Sequence, residues 1–369
     1  MSKRLLVILL CACALCVPTR AEDLDSLYKA RLQELPFEIE VPYHPVVGTY
    51  INRYLKNATQ TGRLMARADY YFPLFWNILG KYNLPYELCY LPIIESALNP
   101  SARSPMGAAG LWQFMPATGK LYGLEINSLI DERMDPVCST EAACAFLQNL
   151  YKTFQDWNLV IAAYNCGPGN VTKAIARSGG KKDFWAIYPY LPNETRNYMP
   201  IYIAACYVLN YADLHDVCPD SVWLYPQTDT LMVHDRMHLS QVSEIIGIGL
   251  DTLRQLNPQY ARDIIPGGKD YALCLPSEYI TTYIEQQDTI LRHKADELIN
   301  NRRAEIEHLR TQNVGGTYTQ GGKTYYKVKK GDTLSGIGKR YHVTVKQLRA
   351  WNGLHSDNLS IGQKLRISK

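Results

Sequence analysis

Apolar residues recur at helical spacing from Arg63 onward. Leu64, Tyr71, Phe72, Phe75, Ile78 and Leu79 fall near a 3.6-residue period and predict one long helix. Gly80 and Asn83-Leu84-Pro85 end it and open another, since Pro suits a first helical turn. In the next stretch, YELCYLPIIESA, Pro92 predicts a kink or break, which leaves Glu95 near the C-terminal end of an apolar helix. EAACAFLQNLYKTF (Glu141 to Phe154) is alanine-rich and predicts a closely packed helix. WNLVIAAYN follows, stopped by Gly167-Pro168-Gly169, and YMPIYIAACYVLNYA is a third strong helical run. Residues 63–214 therefore read as a nearly all-helical domain, with 22–62 as a polar lead-in.

Beyond this domain the pattern repeats itself at an offset of 95 residues. Val233 aligns with Val328, Leu239-Ser240 with Leu334-Ser335, Leu253 with Leu348, Asn257 with Asn352, and Gly267 with Gly362. The two copies span 230–276 and 325–369. Residues 277–324 between them read as a charged helix followed by a flexible linker, NVGGTYTQGGKT.

The N-terminus carries a different pattern. Lys3 and Arg4 precede a short apolar run with small residues after it, so residues 1–21 read as a secretory signal peptide. Leu10-Cys11-Ala12-Cys13 also resembles a lipoprotein box, which would lipidate Cys13 and tie the chain to the outer membrane. Seven cysteines remain after the signal. Their apolar settings favour buried small hydrophobes over disulfides. No Cys/His cluster has metal spacing, so neither a metal nor a cofactor is expected. Charge is uneven: Tyr325 to Lys369 holds ten Lys/Arg against two Asp, whereas the whole chain is only +4. A basic tail on an acidic body predicts an anionic partner. For an exported chain that partner is cell-wall polymer rather than nucleic acid.

The candidate chemistry centres on IIESALNPSARSPMGAAGLWQFMPATGK, where Glu95 is the lone acidic residue. A carboxyl placed among apolar groups loses solvation, and its pKa rises. It can then donate a proton at neutral pH, as cleavage of a glycosidic bond requires. Three segments carry a resemblance: Glu95-Ser96 with Ser104-Pro-Met-Gly107-Ala-Ala-Gly110-Leu-Trp-Gln113-Phe-Met115-Pro, then Ala163-Tyr164-Asn165-Cys-Gly167-Pro-Gly169, then Glu194-Thr-Arg-Asn-Tyr198-Met-Pro. Together they resemble the soluble lytic transglycosylases of the goose-type lysozyme-like group. The last 45 residues resemble a LysM module, and the first copy resembles a diverged one in which Arg236-Met237-His238 replaces Gly-Asp-Thr. Signal, catalytic domain and LysM in this order resemble the D type of membrane-bound lytic murein transglycosylase.

The resemblance implies a mainly α, lysozyme-like catalytic domain followed by small α+β (βααβ) LysM modules. It implies Glu95 as the single acid/base, with Ser104 hydrogen-bonded to it. Gln113 and Met115 would line the cleft, Tyr164 and Asn165 would position the sugar ring and its N-acetyl group, Glu194 would hold a substrate group or a supporting hydrogen bond, and Tyr198 would lie close to Glu95. Gly107 and Gly110 are expected to serve the backbone. DERMDP, with Asp131, Glu132 and Asp135, reads as a charged turn before a helix. The implied activity is cleavage of peptidoglycan glycan strands in the periplasm by a monomer, leaving 1,6-anhydro-N-acetylmuramic ends. A water-using muramidase and an inactive wall-binding protein are the alternatives. Ordinary glycosidases use two carboxylates. A single one is coherent with attack by the substrate's own hydroxyl.

Overall fold

The computed structural model describes residues 21–300 except 223 and 226, and 317–368 except 321, 322, 330, 342, 355 and 361. The signal peptide with Cys13, and 313–316, 321 and 322 of the expected linker, lie outside the described residues; 317–320 and 323–324 of that linker are strand rather than flexible chain. The chain divides into two compact units. One comprises Met1–Leu231, Asp251–Ile264 and Ala272–Glu278; the other comprises Met232–Leu250, Ile265–Tyr271 and Tyr279–Lys369.

The first unit is helical: α1 (Ala21–Glu34), α2 (Pro45–Lys56), α3 (Ala58–Lys81), a 3₁₀ turn Tyr86–Tyr90, α4 (Leu91–Ser96), α5 (Pro116–Leu121), α6 (Pro136–Phe154), α7 (Trp157–Cys166), α8 (Pro168–Arg177), α9 (Phe184–Ile187) and α10 (Asn193–Tyr211). Its centre is α10, which is apolar on nearly every side from Tyr198 to Val208 and correspondingly buried. Around it pack α2, α4 and α7. Ala204 and Ala205 on α10, and Ala162 and Ala163 on α7, are fully buried small residues that let the backbones approach.

Residues 22–62 are not a lead-in. Tyr28 and Leu32 of α1, and Val47 and Ile51 of α2, are buried in the same core as α10. Each pair is spaced i, i+4 on one helix face, a narrow stripe hidden among many polar residues. Arg31 then donates to Tyr207 Oη at 2.8 Å, and Tyr211 Oη donates to the Arg31 carbonyl at 2.9 Å, which fastens α1 to the end of α10.

Local chemistry sets the helix boundaries. Asp135 caps α6 by accepting from the Val137 and Cys138 N–H groups, both at 2.8 Å, with Pro136 in the first turn. Gly167, at φ 83°, ends α7, but Pro168 starts α8 directly after it, so Gly-Pro-Gly is a corner between helices. At Pro92 the 3₁₀ turn gives way to α4, so the expected break falls at the start of that helix. The seven described cysteines are all free, with Cys89, Cys144 and Cys206 buried.

In the first repeat, α11 (Leu239–Ile246) is the opening helix, α12 (Leu250–Leu256) carries Leu253, and Asn257 follows directly after it. The next helix, α13, is Ile280–Arg292. The expected charged helix stops there. Lys294 has φ 47°, and only a short π-helical turn, Asp296–Asn300, follows among the described residues.

The C-terminal module has α14 (Leu334–Arg340) and α15 (Val345–Asn352). Its three-stranded antiparallel sheet joins Thr317–Gln320, Lys323–Lys327 and Lys364–Arg366 in that order. Tyr326, Val328, Leu334, Ile337, Leu348, Leu365 and Ile367 form its core. Thr333 and Thr344 cap the two helices, and Gly353 ends the second at φ 61°.

The repeat is visible in its hydrogen bonds. Asn352 Nδ2 donates to Leu348 O and Arg366 O, while its Oδ1 accepts from the Arg366 N–H. Asn257 makes the same clasp with Leu253 O, Cys274 O and the Cys274 N–H. The copies differ at the first turn. Asp332 Oδ2 accepts from Tyr326 Oη and the Lys329 N–H, whereas its counterpart Met237 is fully buried. His238 keeps the capping role of Thr333.

Candidate functional site

Glu95 sits in the last turn of α4, a six-residue helix ended by two non-glycine residues in the left-handed region, Ala97 (φ 52°) and Leu98 (φ 57°). Such residues cost energy unless their surroundings hold them. Two anchors do so. Arg67 Nη1 donates to Ala97 O at 2.9 Å. Ser96 Oγ lies 3.0 Å from Pro92 O and 2.9 Å from Leu111 O, bridging α4 to the segment 103–115.

Tyr198, near the start of α10, donates to Glu95 Oε1 at 2.5 Å. Burial pushes the Glu95 carboxyl up to about 7. The Tyr198 hydrogen bond pulls the other way, and the negative charge of exposed Glu194 adds to the rise. Tyr164 and Tyr198 are themselves pushed well above the usual phenol range, first by burial and then by the charge of Glu95. Both phenols therefore stay protonated and remain donors.

The second and third motif segments meet through side chains. Tyr164 Oη donates to Trp112 O at 2.8 Å. Thr195 Oγ1 donates to Asn165 Oδ1 at 2.8 Å, which ties the end of α7 to the first turn of α10. Trp112 is fully buried, and its indole N–H donates to Thr140 Oγ1 at 2.8 Å.

Ser104, Gln113 and Met115 lie together on the 103–115 segment. Ser104 does not hydrogen-bond Glu95. Its Oγ accepts from the Ala108 N–H at 3.0 Å, and its carbonyl accepts from the Gly107 N–H at 2.9 Å, so it shapes the loop turn instead. Gln113, at φ 49°, donates its side-chain amide to Gly110 O at 2.8 Å. Met115 is exposed.

The loop owes its shape to a residue that sequence reasoning left in a charged turn. Arg133 is buried. Its Nη1 donates to Gly107 O (2.7 Å) and Phe114 O (2.9 Å), and its other nitrogens hold Asp131 bidentately at 2.8 Å. Burial raises the Asp131 carboxyl, but Arg133 and then Arg103 outweigh it and hold the group below its ordinary range. Gly110, at φ 84°, passes so close that a Cβ there would lie 1.6 Å from Arg133 O. The other two acids of DERMDP also have structural partners. Glu132 accepts from the Glu125 N–H at 2.6 Å, and Asp135 caps α6. Arg133, Ser96, Arg67 and Thr195 are the residues missed from sequence. The available signal was a loop rich in Gly and Ala, whose carbonyls need donors from elsewhere.

Comparison with known proteins finds three domain matches along the chain. A family described as Transglycosylase SLT domain matches residues 76–187, LysM domain matches 326–368, and the LysM-like domain of lytic transglycosylase MltD matches 227–292. The membrane-bound lytic murein transglycosylase D of Escherichia coli (strain K12) is 32% identical over 338 residues, covering 89% of this chain and 70% of that one. The chain belongs to the membrane-bound lytic murein transglycosylase D family.

The soluble lytic murein transglycosylase of Escherichia coli (strain K12) is 35% identical over 154 residues, 38% of this chain and 24% of its own. Among solved structures, the 70 kDa soluble lytic transglycosylase of Escherichia coli aligns over 46% of this chain and 30% of its own, at 24% identity and a TM-score of 0.36. Glu95, Tyr164 and Asn165 of this lytic transglycosylase D family member fall inside the SLT match, as do Ser104, Gln113 and Met115, while Glu194 and Tyr198 lie just beyond its end.

Proposed function

We propose that the chain is a peptidoglycan lytic transglycosylase in which Glu95 alone serves as acid and base. The observation carrying this reading is the Glu95 carboxyl itself: raised to about 7, joined to Tyr198 at 2.5 Å, and set beside three motif segments. Protonated Glu95 gives its proton to the oxygen between N-acetylmuramic acid and N-acetylglucosamine as that C1–O bond breaks. The muramic N-acetyl carbonyl stabilises the developing positive charge. Ionised Glu95 then takes the O6 proton as O6 bonds to C1, which closes a 1,6-anhydro ring. No water is consumed and the carboxyl ends as it began. A hydroxyl already on the substrate has a high effective molarity, which removes the need for a second carboxylate.

Tyr198 holds the carboxylate form in place, and Glu194 tunes its proton affinity. Tyr164, Asn165, Gln113 and Met115 contact the sugars, and Ser104 does so from the loop turn it shapes. Residues 325–369 hold the wall, raising the local concentration of strands near the cleft. The chain works as a monomer in the envelope, either released by cleavage after the 1–21 signal or held through a lipid on Cys13.

Mass spectrometry of products from purified sacculi in oxygen-18 water tests the chemistry. Anhydro ends without label are expected, with Glu95→Gln losing at least about a hundredfold in rate. Labelled reducing ends would make the enzyme a muramidase instead.

A further inference from the structure

The same helical unit holds a concavity of about 660 Å³. Asn210 on its wall stands twelve residues beyond Tyr198 on α10, which puts it about 18 Å along the axis at 1.5 Å per residue. None of Glu95, Tyr164, Asn165, Glu194 and Tyr198 lines it.

Two large aromatic side chains flank it and remain in water: Trp76 is 44% exposed and Tyr86 is 56% exposed. Exposed aromatics gathered at a concavity are informative in a way that a lone surface Leu is not. Tyr86 reaches over α3 at Gly80, where an added Cβ would lie 3.3 Å from its hydroxyl. Gly80 is one turn beyond Trp76, so the two rings share a face of the helix.

The wall also carries an unsatisfied group. Glu87 is 7% exposed, and its Oε1 accepts from the Glu38 N–H at 2.7 Å. Its Oε2 is shut from bulk solvent and has no donor. A buried acceptor left open is expensive and calls for a partner. Beside it, Asn210 is fixed by bonds to Tyr90 Oη and Cys206 O, both at 2.8 Å, and Asn77 adds a second amide. Among the described residues no Lys or Arg lines the cavity.

This lining selects its ligand. Aromatic faces pack on the C–H face of a pyranose ring, while amides and a carboxylate take up hydroxyl and N-acetyl groups. With no cation present and Glu87 in the wall, the lactyl and peptide carboxylates of a muramic unit are disfavoured. We propose that this cavity is an anchoring site for a neutral N-acetylhexosamine unit of the glycan strand, an inference that rests on the reading that the chain works on amino-sugar polymers. The ring stacks on Trp76 and Tyr86 and donates a hydroxyl to the exposed side-chain amide oxygen of Asn77. A strand is then held at a point remote from the bond that breaks.

Fluorine NMR of the full chain labelled with 5-fluorotryptophan tests this, with Trp76→Phe assigning the Trp76 signal. On titration with N-acetylchitotriose the Trp76 resonance is expected to shift saturably. Its dissociation constant should rise about tenfold or more in Tyr86→Ala and in Asn77→Ala. The second variant removes the exposed amide that takes up the sugar hydroxyl. Neither residue belongs to the cleft, so anhydro product from sacculi should be unchanged. A Trp76 signal that stays still through millimolar sugar, that moves alike in both variants, or that answers only to a stem peptide overturns the anchoring site. Anhydro ends from sacculi read the glycan assignment separately. If they form while Trp76 is silent, only the anchor is lost; if they are absent too, both readings fail.

Discussion

At the scale of single residues, the Glu95 carboxyl ties activity to pH with a definite sign. Protonated Glu95 is the competent acid, so rate falls as pH rises through about 7. Tyr198→Phe removes a bond that favours the carboxylate, so the alkaline limb of a pH–rate profile should move upward. Glu194→Gln removes a like charge and should move it downward. The same shift bears on stability. The folded pKa lies above the unfolded value, so folding binds a proton between about 4.5 and 7 and loses stability as pH rises through that window. Glu95→Gln is therefore expected to raise the melting temperature at pH 8 and leave it unchanged at pH 4, as calorimetry can read. Glu95 was legible in the sequence because a lone acid in an apolar run, framed by three motifs, does not fit a solvated surface position. The Ser104 bond was not. A hydroxyl four residues before Ala108 serves a local turn as readily as a distant carboxyl, and sequence spacing does not separate the two outcomes.

At the scale of elements, the 103–115 segment depends on Arg133, in the turn before α6, as well as on hydrogen bonds of its own. Gly110→Ala would drive a methyl into the Arg133 carbonyl, so a loss of more than about 3 kcal/mol in urea unfolding is expected, or failure to fold. Gly107→Ala is the contrast: its φ of 92° is strained for alanine, but no atom lies within 4 Å of the added carbon, so a smaller loss of about 1–2 kcal/mol is expected. The long apolar periods of α3, α6, α7 and α10 were readable because each presents repeated matches to one face. α1 and α2 were not, because two buried hydrophobic side chains apiece are too few to stand out from their polar neighbours. The DERMDP turn hid its role for a related reason. Its charges read as solvated until tertiary structure closes over Arg133 and pairs it with Asp131.

At the scale of the whole molecule, the 95-residue offset was legible because both copies keep the clasping Asn and the apolar positions. What decides binding in each copy is less visible, since Met237 turns a polar clasp into core. Removing 325–369 should weaken sacculus binding while sparing cleavage of soluble fragments, and the remaining affinity should lose much of its salt dependence as the +8 segment goes. Co-sedimentation across a salt series measures both. The unbridged thiols have a further consequence. Reductant should leave the melting temperature of the described body unchanged, because its described cysteines are all free and Cys89, Cys144 and Cys206 are sealed in the interior with proton affinities raised by burial. Cys218, exposed at the surface, is where air oxidation would staple two copies together, giving a doubled band on a non-reducing gel that Cys218→Ser erases.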